Sequence, residues 1–281
     1  MIKDVMVRLD GTAGDDLRIG TAESIVRLFD GRLIGLYVNV LPSWIAPAET
    51  DPAAAYAATA ELLQAAHEAA NYIEDRLLNR LDDLRLKQKA ELRRFDVFSH
   101  DEADVTAREA RSADVFVALR PNGKAAGVLH EPEHLVEGVL FGSGRHLCLV
   151  PPESQPNPDF HRIMIAWNGS RESARAMAES MPYLHNASKV SVVIVDDKRS
   201  PTILGDRAVN HLKHHGIEAQ LHATTRGNAD VGEKLLSEIR RTRSDVVVMG
   251  GFGHSRLREW IFGSTTSEVL HQSPVPVLVA H

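Results

Sequence analysis

Residues 4–12, DVMVRLDGT, are read a second time at 162–170 as RIMIAWNGS. Each is an apolar run that ends in Asp or Asn, then Gly, then a hydroxyl. The pairing continues in the same order along the chain. LIGLYVN (33–39) matches VSVVIVD (190–196), ADVFVAL (113–119) matches SDVVVMG (244–250), and VLFGSGRHLCLV (139–150) matches VLHQSPVPVLVA (269–280). Four paired segments in one order make the chain a tandem duplication. Between the copies, PPESQPNPDF (151–160) carries four prolines in its first eight residues, which suits a semi-rigid linker and neither a helix nor a central strand. The expected domains are therefore 1–152 and 161–281.

Within each copy, short runs that are apolar throughout alternate with helix-period segments, which implies an α/β fold with a parallel sheet covered on both faces. In the second copy, IMIAW is followed by the helical RESARAMAESMPYL, and VSVVIV by a helix over about 203–215 that Gly216 closes. IEAQLHATT, DVVVMG and PVPVLVA complete five strands, with ADVGEKLLSEIRRTRS and STTSEVLHQS as the helices between them. The first copy follows the same plan with one insertion, an alanine- and leucine-rich helix expected over 54–94. The last strand of each copy would be an apolar edge, so LCLV (147–150) is expected to pair with PVPVLVA (274–280), packing the copies as a pseudo-two-fold pair.

Bulk properties narrow the function. Of 281 residues, 43% are hydrophobic and 25% charged, the balance of a globular protein, and the net charge of −6 gives nucleic-acid binding no support. The opening MIKDVMVRLDGT has no signal-peptide core and the apolar runs are too short to span a bilayer, so a cytoplasmic location with no membrane partner is expected. The single cysteine, Cys148, lies in the apolar LCLV and reads as a buried, inert thiol.

The stretch GGFGHSRLREWIFGST (250–265) is where ligand chemistry is concentrated. It has no Gly-Lys-Ser/Thr, so it is not a Walker loop. The first and fourth strands of the second copy end at Trp167-Asn168-Gly169-Ser170 and Met249-Gly250, on one rim, where open parallel sheets bind ligands. Gly250 and Gly253 would let backbone amides approach an anion. Gly263-Ser264-Thr265 opens a helix whose dipole favours one. His254, Arg256 and Arg258 could face phosphates. The plainer alternative is that Thr265-Thr-Ser-Glu268 only caps its helix and the glycines only turn the chain.

This second half resembles the universal stress protein family over nearly its whole length. Strand-end Asn168-Gly169-Ser170, the GxxG-x9-GS pattern from Gly250 to Ser264 and the closing SPVPVLV (273–279) carry the resemblance. It implies two Rossmann-like domains of the adenine nucleotide alpha hydrolase type, each with five parallel strands in the order 3-2-1-4-5. It also implies ATP, with or without Mg2+, held through Val195 and the backbone near Met249, with phosphates on Gly250, Gly253, Gly263, Ser264 and Thr265. The family's ATP binders usually carry Asp where this half has Asn168, which can accept a hydrogen bond but brings no charge. The first half keeps Asp10 but lacks the cradle. Its helix start reads His130-Glu131-Pro132-Glu133, and two glutamates would repel phosphate, so this half is expected to be a degenerate, non-binding copy.

Other candidates carry less. His211 and His215 share a helical face but lack further ligands for zinc, so no metal site is expected. Asp196-Asp197 fits solvated turn chemistry. The charged RLKQKAELRR (85–94) reads as a solvated face. No Ser-His-Asp or Cys-His set is visible, so no catalytic residue is named and any ATP turnover is expected to be slow. Two functions stay open: an ATP-binding stress-response regulator with a regulatory protein partner, or a nucleotide-free scaffold. Whether the whole chain forms a homodimer also stays open.

Overall fold

A computed structural model describes residues 1–42, 52–121, 131–155, 158–196, 202–251 and 264–281. The first half runs β1 (Asp4–Leu9), α1 (Asp15–Phe29), β2 (Arg32–Leu41), α2 (Pro52–Asp82), β3 (Glu91–Phe98), α3 (Glu102–Ala110), β4 (Val115–Leu119), α4 (Glu133–Ser143) and β5 (His146–Val150). The second runs β6 (Arg162–Ala166), α5 (Arg171–Asn186), β7 (Lys189–Asp196), α6 (Ile203–His214), β8 (Ala219–Thr225), α7 (Val231–Thr242), β9 (Val246–Gly250), α8 (Ser264–Gln272) and β10 (Val277–Ala280).

The ten strands of the described residues lie in one sheet in the order β3-β2-β1-β4-β5-β10-β9-β6-β7-β8. Each half is thus a parallel sheet in the order 3-2-1-4-5, and the halves meet edge to edge where β5 and β10 pair antiparallel. The strands carry Val, Ile and Leu on both faces because both faces are covered. In each half the first two helices pack on one face, with Ile19, Ile25 and Leu81 of the first half matched by Met177, Tyr183 and Leu212 of the second. The other two helices cover the opposite face through residues such as Val136, Val139, Leu236 and Val269. Because the same faces match and the strand directions reverse at the seam, the two-fold axis stands perpendicular to the sheet. The strand-end rims of the two halves therefore point in opposite directions.

One expectation is corrected. The long helix stops at Asp82 rather than reaching 94, and Glu91–Phe98 is the edge strand β3, paired in parallel with β2 from Ile34↔Glu91 to Leu41↔Phe98. The chain breaks helical conformation at Arg85, whose φ is 47°. The strand was hidden because an edge strand is half solvated: Arg93 and Arg94 lie on it and pair with Glu109 and Glu74. The segment between the halves is pinned at its end by Phe160, which is buried and stacks on Tyr183 of α5 at 5.5 Å between ring centres.

Candidate functional site

The carboxyl ends of β6 and β9 are neighbours, in register Ala166↔Met249, so Trp167-Asn168 and Gly250-Gly251 leave the sheet from one rim. Val195, near the end of β7, is buried, as is Met249, whereas Asn168 is exposed. Asn168 Oδ1 accepts the Ser170 amide at 3.0 Å, and Gly169 takes a φ of 74° to make that turn. The Ser170 hydroxyl then accepts the Ser173 amide at 3.2 Å and caps α5. Trp167 Nε1 donates to the Leu204 carbonyl at 2.9 Å, tying the start of α6 to the same rim. Thr265 lies in the first turn of α8, half-buried. Gly253, His254, Gly263, Arg256 and Arg258 lie outside the described residues, as does the side chain of Ser264.

Gly250 has a packing reason of its own. A Cβ built there would lie 2.4 Å from the Ser173 amide nitrogen and 2.8 Å from Glu172 Cβ, so the end of β9 rests directly on the first turn of α5. The repeat inverts this pair. In the first half Leu119 stands where Gly250 does, and Gly14 stands where Glu172 does, with a Gly14 Cβ only 2.7 Å from Leu119 Cδ1. Glycine is demanded on one side of the contact in each half.

The two rims differ most in charge. In the first half, Arg8 Nη2 donates to Glu102 at 2.9 Å and Arg8 Nη1 lies 2.9 Å from Glu131 Oε2. Arg18, with no solvent exposure, donates to Glu131 Oε1 at 2.8 Å and to Asp10 at 2.5 Å. Asp15 accepts the Asp10 and Gly11 amides at 3.2 and 2.8 Å. Burial pushes the Asp15 carboxyl up to about 6, against the pull of Arg18. At Asp10 burial pushes the same way but the Arg18 guanidinium outweighs it and holds the carboxyl down at about 2. Repeat alignment puts Ala166 at the place of Arg8, Asn168 at Asp10, Ser173 at Asp15 and Ala176 at Arg18. At these four positions the second rim carries small uncharged side chains where the first carries charge.

Sequence reasoning saw the glutamates of the first half but missed Arg8, Arg18, Asp15 and Glu102. An arginine inside the apolar run DVMVRL, at the position that Ala166 holds in its repeat partner RIMIAW, was the available signal.

A family model for the universal stress protein family matches residues 159–281. The match to that family is therefore carried by the second half of the chain. A universal stress protein of Mycobacterium tuberculosis is 36% identical over 64 residues, 23% of this chain and 21% of that protein. One from Synechocystis is 24% identical over 139 residues, 47% of this chain and 45% of that one. The matched segments thus span less than half the length of these curated relatives. The crystal structure of a universal stress protein from Archaeoglobus fulgidus superposes with a TM-score of 0.76 at 15% identity, covering 99% of this chain and 97% of that one. At that identity the likeness is one of fold, and it extends over both halves of this chain.

The remaining candidates resolve simply. The rings of His211 and His215 lie 4.7 Å apart, and among the described residues no three His, Cys, Asp or Glu side chains group to hold a metal. Cys148 is buried, and burial pushes its thiol up to about 12. Asp197 lies outside the described residues. Glu268 lies inside α8, and its carboxylate rests over Gly232 of α7, where a Cβ would be 2.2 Å from Oε2. Among the described residues, no helix is long and apolar enough to cross a membrane.

Proposed function

We propose that this chain is an ATP-binding regulator of the stress response, with the nucleotide in a domain spanning 161–281 and a non-binding domain spanning 1–152. The observation that carries this reading is the contrast between the rims: Ala166, Asn168, Ser173 and Ala176 present small neutral groups where the first half packs two arginines and two aspartates. An adenosine would lie along Val195 and the backbone near Met249, with Asn168 accepting from the sugar. The triphosphate, carrying Mg2+ when present, would run over Gly250, Gly253, His254 and Gly263 to Ser264 and Thr265. α8 runs antiparallel to the strands it joins, so the amides of its first turn face that rim and favour an anion. Bound ATP meets no general base or Walker lysine in this chain's motifs, so turnover below about 1 per second is expected. A cytoplasmic location, a regulatory protein partner and homodimerisation belong to the same reading.

The decisive experiment is native mass spectrometry of the purified chain followed by calorimetric titration with ATP. Retained adenine nucleotide, or heat that Gly263→Val abolishes, supports the reading. A protein that carries no nucleotide and gives no heat with ATP is instead a nucleotide-free scaffold. One observation favours that second reading: the glycine at 250 is already accounted for by the close approach of α5.

A further inference from the structure

We propose that the strand-end pocket of the first half is an oxyanion site that the chain occupies with its own Glu131 carboxylate. The pocket lies between β1 and β4, the point where successive connections leave the sheet on opposite faces and where open parallel sheets receive ligands. Arg8 shares its face of β1 with Met6 and alternates with Val7, which puts it on the face covered by α3 and α4. Arg18 comes from α1 on the other face. Their guanidinium groups reach the same carboxylate, at 2.9 Å on Oε2 and 2.8 Å on Oε1, and the Leu119 amide donates to Oε1 at 3.3 Å. Two cations and a main-chain amide converging on one buried carboxylate form the donor set of an anion receptor.

Two further observations separate this from an ordinary core ion pair. The Nε groups of both arginines are buried and make no hydrogen bond, and Glu131 Oε2 accepts none either, so the Glu131 carboxylate does not fully satisfy the pocket around it. Such unsatisfied polar atoms are costly in a core built only for stability. The arginines are also peculiar to this half, since their repeat partners are Ala166 and Ala176. Asp10, Asp15 and Glu102 also face the arginines, so Glu131 is not needed to balance charge. Its distinctive contribution is to sit where an external anion would. Glu131 therefore acts as a built-in ligand, and this half is closed to outside oxyanions while its side chain is in place.

The test is chemical rescue in the full chain. Glu131→Ala empties the site, and its thermal midpoint is expected to fall by roughly 6 °C or more. Sodium formate should raise that midpoint saturably, beyond sodium chloride at equal ionic strength, and leave the wild type unmoved. Inorganic phosphate serves as a second probe. Rescue by formate alone marks a carboxylate-sized site, and rescue by both marks a general oxyanion site. Glu131→Gln fills the same volume without charge, so it should lose stability yet gain nothing from formate. If Glu131→Ala does not accumulate folded, refolding by dilution from urea into formate or chloride gives the same comparison as a yield. Equal effects of formate, phosphate and chloride on Glu131→Ala overturn the proposal, as does a formate effect of the same size on Glu131→Gln. ATP binding in the second half plays no part in these readouts.

Discussion

Cys148 and Leu278 face each other across the antiparallel seam, and each is the repeat equivalent of the other. The flanking pairs, Leu149 with Val277 and Leu147 with Val279, exchange under the same operation, so the two-fold axis passes between Cys148 and Leu278. All six side chains are buried and apolar, and they weld two five-stranded sheets into one of ten.

The seam should therefore behave as core. Leu278→Asp places an unpaired carboxylate on the axis and is expected to cost about 3–5 kcal/mol, read as a lower urea midpoint. The Cys148 thiol, buried and pushed up to about 12, should react with a disulfide reagent only as fast as the protein unfolds. Rapid stoichiometric labelling of the folded protein would contradict the closed seam.

Gly250 and Gly14 allow a comparison of close approaches. Gly250→Ala drives a methyl into the backbone of α5 and should destabilise by ~2 kcal/mol or more. Gly14→Ala meets the tip of the Leu119 side chain instead, so Leu119→Ala should relieve it in a double-mutant cycle. No truncation of a side chain should relieve Gly250→Ala by the same amount.

The Asp10 and Asp15 carboxyls give opposite pH signatures. Asp15 is raised from 3.8 to about 6, so folding takes up protons there, and stability falls as pH rises through roughly 4 to 6. Asp10 is lowered from 3.8 to about 2, so its contribution is present above about pH 4 and is lost as pH falls toward 2. Relative to the wild type, Asp15→Asn should thus gain ~1–3 kcal/mol between pH 4 and pH 7. Asp10→Asn should lose stability at pH 7 and little at pH 2. Chemical denaturation at each pH checks both signs.

Asn168→Asp tests the nucleotide reading. A carboxylate accepts a hydroxyl proton more strongly than an amide does, so adenosine affinity should rise about tenfold. Calorimetry with adenosine avoids repulsion between the new charge and the phosphates. Unchanged or weaker adenosine binding would remove Asn168 from the site.

The duplication, the strand rhythm and the seam were legible because all are local patterns repeated in order. The edge strand β3 was not, because Arg93 and Arg94 give it the charge of a solvated helix face. The charge cluster at the first rim was illegible for a different reason. Arg8, Arg18, Glu102 and Glu131 come from separate parts of the chain, and only the tertiary fold brings them together. Gly250 shows the converse hazard, since a glycine that the sequence places in an expected phosphate cradle has a helix contact to account for it.

Fusing the copies has consumed both apolar margins at β5 and β10, leaving β3 and β8 as the outer borders. The first is studded with paired arginines and the second, AQLHATT, is largely polar and half-wet. Neither border invites another strand, so the plate stops growing at ten. A molecule built this way leaves its helical flanks and its two oppositely directed rims as its outward faces, and one chain supplies the symmetry that would otherwise need two.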